Sequence, residues 1–125
     1  MKPPQYYLPI MPYLIVNKAY EFIDFTEKVF NAKTELIVPR EEGVIMHGEI
    51  TIGKAAIMFC DATAVYKPRP AGMFILVQHV EEIYNRALAN GAVSTQEPAE
   101  REYGLSAGFQ DVYGNQWWLT KPDDV

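Results

Sequence analysis

Cysteine is almost missing from this chain: Cys60 stands alone among 125 residues. No internal disulfide can form, and nothing points to an oxidising compartment. Long apolar runs are missing too. The opening MKPPQYYLPIMPYLIV is broken by Pro3, Pro4, Pro9 and Pro12, so it lacks the continuous core of a signal peptide. No stretch approaches the ~20 residues that a membrane span needs. Positive charge is not in excess either. Eleven Lys and Arg stand against sixteen Asp and Glu, for a net charge of −5, and the electrostatic footprint of a nucleic-acid binder is lacking. Histidine is scarce, with only His47 and His79. A cytoplasmic protein that engages neither membrane nor nucleic acid is expected.

What is there is an ordinary globular composition, 49% apolar and 22% charged. The length suits one domain or two small halves, burying roughly two-thirds of the unfolded surface. Tyr13 to Val16 reads as a short strand, with Asn17 as a plausible helix N-cap. Ala19, Phe22, Ile23, Thr26, Val29 and Phe30 recur at helical spacing. TELIV follows as a strand stopped by Pro39 and a solvated turn at Arg40, Glu41 and Glu42. VIMHGEITI alternates as a third strand, Gly53-Lys54 makes a turn, and AAIMFC is a fourth.

The same order then returns. MFILV is a strand; Val80, Ile83, Tyr84, Ala87 and Leu88 form a helical stripe; Asn90-Gly91 supplies a left-handed stop. AVST, LSAGFQ and QWWLT are three further strands, with QEPAEREYG between them as a plain polar connection or, alternatively, a mobile loop over the site that brings in Tyr103. The pattern predicts an α+β fold of two βαβββ modules, forming a cupped mixed sheet with helices on the outer face. The expected boundaries are an arm over 1–10, a first module over 11–61, a linker over 62–71 and a second module over 72–122. A generic α+β sandwich without duplication is the plainer alternative.

PYLIV, FTEKVFNA, IMHGEITIG, VEEIYNRALANGA and DVYGNQWW, in that order, resemble the vicinal oxygen chelate superfamily: glyoxalase I, extradiol dioxygenases, and fosfomycin and bleomycin resistance proteins. PYLIV with MHGEI is most similar to the PhnB-like branch. The DVYGNQW stretch departs from the family's turn in carrying Val112 where proline is usual. The resemblance implies a homodimer and four metal-ligand positions, which fall on Met11, Met58, Gly72 and Trp118. Thioether sulfur suits copper(I), whereas Gly and Trp offer a divalent cation no side-chain ligand. No resident metal or other cofactor is expected.

Strand alternation places Met11, Tyr13 and Ile15 on one face, joined by Met58 and Cys60. Gly72, Phe74 and Leu76 share a face in the second half, as do Gln116 and Trp118. This face is expected to bind a small molecule, cationic or aromatic, through Met11, Tyr13, Met58, Phe74, Gln116 and Trp118; simple core is the alternative. Val44, Met46, Gly48, Ile50 and Ile52 are expected under the helix, with Ile45, His47, Glu49 and Thr51 opposite. His47 and Glu49, two apart on one strand, are the candidate acid–base pair; a polar pair at a sheet edge is the bland reading. Cys60 reads as a buried small hydrophobe. Three functions follow in order of preference: a metal-free binding protein, a metal-independent enzyme using His47 oriented by Glu49, and a metal-dependent lyase or dioxygenase.

Overall fold

A computed structural model describes residues 1–123. The chain divides into two compact units, Met1–Arg69 and Pro70–Val125, each built on one βαβββ plan. In the first, β1 (Tyr13–Val16) leads into α1 (Ala19–Phe30), then β2 (Lys33–Glu41), β3 (Val44–Ile52) and β4 (Ala55–Asp61). In the second, β5 (Gly72–Leu76) leads into α2 (Val80–Ala89), then β6 (Val93–Arg101), β7 (Gly104–Gln110) and β8 (Gln116–Lys121). The sheets run β1-β4-β3-β2 and β5-β8-β7-β6. In each, the first strand is parallel to its neighbour and the other pairs are antiparallel. The fold is α+β with two βαβββ modules. No helix among the described residues is long and apolar enough to cross a membrane.

The helices form because each has one apolar stripe. Phe22, Ile23, Val29 and Phe30 of α1 are buried, and Phe22 meets Phe59 of β4 edge-on with centroids 5.3 Å apart. In the second module Val80, Tyr84 and Ala87 cover a core of Phe109, Trp117 and Leu119. A positive-φ residue followed by a buried alanine closes each helix: Asn31 (φ 57°), the C-cap of α1, before Ala32, and Gly91 (φ 97°), one residue past the Asn90 C-cap of α2, before Ala92. Their starts differ from expectation. Asn17 does not cap α1; Lys18 holds the cap position. The Ala19 N–H is taken by Asp61 Oδ1 at 2.9 Å, and Asp61 Oδ2 accepts from Ile45 N at 2.6 Å. A buried carboxylate is the stronger acceptor, so an Asn amide is not needed there.

Pro39 does not end β2. The strand runs to Glu41, and its pairing with β3 shifts register between Val38 and Pro39 and again before Glu41. A bulge absorbs the proline, which has no N–H for the ladder. The bulge also overturns the expected alternation at the start of β3: Ile45 is buried, whereas Met46 is 48% exposed. QEPAEREYG is likewise not a loop. β6 continues through Pro98 to Arg101, again with register shifts, and Glu102-Tyr103 form the turn. Within the first unit, Arg69 pairs with Ile15 on the edge of β1, through bonds of 2.8 and 3.3 Å.

Candidate functional site

Register fixes what each sheet presents away from its helix. In the first module Tyr13 pairs with Met58, Met58 with Glu49, and Glu49 with Leu36. The corresponding row in the second is Phe74, Trp118, Gly108 and Gln96.

The first row is polar and closed. His47 and Glu49 come together as expected, with His47 Nε2 2.6 Å from Glu49 Oε2. Tyr13 OH lies 3.0 Å from His47 Nδ1, the two rings stacked at 5.5 Å. Sequence reasoning missed the other partners of Glu49. The N-terminal arm folds onto its own module. Tyr6 OH donates to Glu49 Oε1 and Tyr7 OH to Oε2, each at 2.5 Å. Glu49 is out of contact with solvent, though its cover is thin: two phenols and an imidazole, not the core. Burial alone would raise its carboxyl, but hydrogen bonds from Tyr6, Tyr7 and His47 outweigh that and hold it below the ordinary glutamate range. Desolvation, then the bond to Glu49, raises the Tyr6 phenol; for Tyr7 the bond comes first. Tyr13 is raised by burial and by Cys60, and burial raises Cys60, which stays an unreactive thiol. Met11 and Met58 are half-buried beside this cluster's strands.

The second row is apolar and open. Phe74 is 60% exposed and Trp118 42%. With Tyr103 they wall a recess of about 160 Å³, floored by Ser106, Ala107, Leu119 and Thr120. Ser106 Oγ and Thr120 Oγ1 bond each other at 2.8 Å, so the floor is polar but satisfied. Gln96 completes the rim. With its amide turned so that the oxygen faces Arg101, it accepts at 2.8 and 2.7 Å, and the protein satisfies both ends of the amide. Gln116 stands outside the recess; its amide donates to Thr95 Oγ1 at 2.8 Å and the Trp117 carbonyl at 3.0 Å.

The positions matched to metal ligands do not suit a metal. A Cβ at Gly72 would lie 3.0 Å from the Trp118 ring, so the indole occupies the space a ligating side chain would need. Among the described residues, no three His, Cys, Asp or Glu side chains gather as metal ligands do. Two thioethers, a glycine and an indole are not a donor set for a hard or borderline divalent cation.

The family model for the Glyoxalase/Bleomycin resistance protein/Dioxygenase superfamily matches residues 8–119. The chain belongs to this superfamily. An uncharacterised Mycobacterium bovis protein is 26% identical to this superfamily member over 125 residues, covering 90% of this chain and 82% of that one. Among solved structures, a Pseudomonas aeruginosa protein superimposes with a TM-score of 0.79 at 22% identity, over 94% of this chain and all of the other. TnmS3, an antibiotic binding protein from Streptomyces sp. CB03234, does so with a TM-score of 0.71 at 18% identity, over 94% and 100% of the two chains. At these identities the structural likenesses establish the superfamily fold.

Proposed function

We propose that this superfamily member is a metal-free small-molecule-binding protein whose second module takes a planar, apolar group against Trp118. The observation that carries this reading is the recess between Phe74, Tyr103 and Trp118. Its volume is comparable to the ~150 Å³ that accepts a benzene ring in a protein interior, so it suits one ring of a larger ligand. The aromatic walls supply stacking area, and Gln96 makes the rim polar. An antibiotic binding protein with the same fold supports binding as a sufficient role. Homodimeric assembly and a cytoplasmic location belong to the same proposal; sedimentation of the purified protein tests the first, and cell fractionation the second.

Tryptophan fluorescence tests the site. Trp117 is 1% exposed and serves as an internal reference, whereas Trp118 is open to a ligand. Aromatic compounds that bind should quench the wild type and leave Trp118→Phe largely unquenched. Equal quenching of both would reject the assignment. A second reading, a metal-independent enzyme, is favoured by the 2.6 Å contact between His47 and Glu49. It requires that His47→Ala abolish turnover while binding survives, and retained turnover would end it.

A further inference from the structure

The first module carries a site that the Trp118 recess does not use. The Glu49 side chain is fully shielded, and three donors reach it: Tyr6 on Oε1, and Tyr7 and His47 on Oε2. A carboxylate offers about four acceptor positions, so one on Oε1 is left over. Buried carboxylates are ordinarily paired with a cation. Among the described residues no Lys or Arg pairs with Glu49. Lys33 stands 3.6 Å from Glu35, and Arg40 lies toward Cys60. Glu35, bulged between Thr34 and Leu36, instead adds a second negative charge near Tyr6.

The cover over this carboxylate is separable from the fold. Among the described residues, no backbone hydrogen bond joins residues 1–11 to the sheet, and the first to do so runs from Met58 N to the Pro12 carbonyl at 2.9 Å. Within the arm, a turn closed by Tyr7 N to the Pro4 carbonyl brings the Tyr6 and Tyr7 rings together edge-on, 5.3 Å apart. Two phenols on one carboxylate are therefore the polar ties that hold it down. Tyrosine rings beside an ionised carboxylate are also the chemistry that recognises an ammonium, since the ring faces attract the cation and the oxygens take its N–H donors.

We propose that Glu49 is a recognition carboxylate for the protonated amine of a small ligand, and that Tyr6 and Tyr7 form a latch that occupies it until the ligand arrives. The ammonium replaces both phenols, donates to Oε1 and Oε2, and adds a fixed positive charge to a carboxylate whose one ion-pair partner among the described residues is His47. His47 remains on Oε2 and keeps the carboxylate oriented. The site lies wholly within the first module, so it does not depend on the Trp118 reading.

Calorimetry on the full chain at neutral pH tests it, with 2-phenylethylammonium as the probe and 2-phenylethanol as its neutral isostere. Removing the competing hydroxyls in Tyr6→Phe/Tyr7→Phe should tighten ammonium binding roughly tenfold over wild type and leave the alcohol unchanged. Adding Glu49→Gln should erase the preference for the ammonium. Adding Trp118→Ala should preserve it, which separates this site from the second-module recess. Equal binding of ammonium and alcohol by the double variant would overturn the proposal. So would no ammonium binding at millimolar probe, a preference that survives Glu49→Gln, or one lost with Trp118→Ala. Should circular dichroism show the double variant unfolded, Tyr6→Phe alone frees Oε1 and is judged by the same outcomes.

Discussion

Tyr13, Met58, Glu49 and Leu36 in the first module occupy the same lattice positions as Phe74, Trp118, Gly108 and Gln96 in the second. The backbones agree strand for strand, yet one row ends closed and the other open. The difference lies in single side chains. Glu49 puts a carboxylate where the second module has Gly108, and a buried carboxylate must find donors. It finds them in His47 and in the arm, which seals the face. Gly108 makes no such demand, and in its row the Trp118 ring covers Gly72 and walls a recess with Phe74. The two modules share a register, and their chemistry differs at the positions that register leaves on the face away from the helices.

The modules diverge inside as well, and breaking each at its buried acceptor should give the largest effects. Asp111 takes the Trp117 indole N–H at 2.8 Å, the Tyr113 and Asn115 backbone N–H groups at 2.9 Å, and the Asn115 amide at 3.0 Å. Asp61 takes two backbone N–H groups. Asp111→Ala strands more donors and should cost about 3–5 kcal/mol; Asp61→Ala should cost about 2–3 kcal/mol. Urea unfolding checks both. A larger loss at Asp61 would reverse the ranking of the two modules' polar cores.

Acid sharpens the same comparison, because the buried carboxylates of the two modules shift in opposite directions. Glu49 is depressed below the ordinary 4.5. Its contribution is complete above that value and is lost as the pH falls through the lower folded value. Asp111 is raised above 3.8, because desolvation outweighs its hydrogen bonds from Trp117, Asn115 and Tyr113. Its burial cost operates above the raised value and is relieved as the pH falls through 3.8. The stability gap between wild type and Glu49→Gln should therefore shrink on acidification. Against Asp111→Asn, wild type should gain ground. The Glu49 change should stay within about 1 kcal/mol, because desolvation offsets most of what its hydrogen bonds contribute. Denaturant titrations at neutral pH, pH near 4.5 and below 3.8 read out both signs.

Much of this architecture was legible in the residues because periodicity reports backbone directly. The stripe from Ala19 to Phe30 and the alternation of VIMHGEITI gave α1 and β3 their observed bounds. Proline misled at Pro39, which read as a strand stop but, like Pro98 within QEPAEREYG, sits at a register shift that a strand tolerates. The bulge at Pro39 then exchanged the fates of Ile45 and Met46, and no alternation rule anticipates a bulge. At the site, spacing put His47 and Glu49 on one face, and the structure adds their direct contact. Tyr6 and Tyr7 did not follow from spacing, because their link to Glu49 spans more than forty residues and rests on side chains. Asp61 gave a usable hint: an acid directly after the buried AAIMFC has to be met by donors.

The smallest effects should appear where the modules agree most closely. Each helix carries one acid-to-base pair four residues apart: Asp24 with Lys28 at 2.8 Å on α1, and Glu82 with Arg86 at 2.9 Å on α2. Both run acid first, the orientation that also complements the helix dipole. All four side chains are at least 41% exposed, so water screens the attraction and holding two long side chains together offsets part of it. Asp24→Asn and Glu82→Gln should each cost no more than about 0.5 kcal/mol, and by equal amounts. Thermal unfolding in low and high salt measures both, with salt reducing each loss. A cost several times larger on one helix would mean that its pair serves as more than a surface contact, and the modules would then differ on their outer faces as well as at their sites.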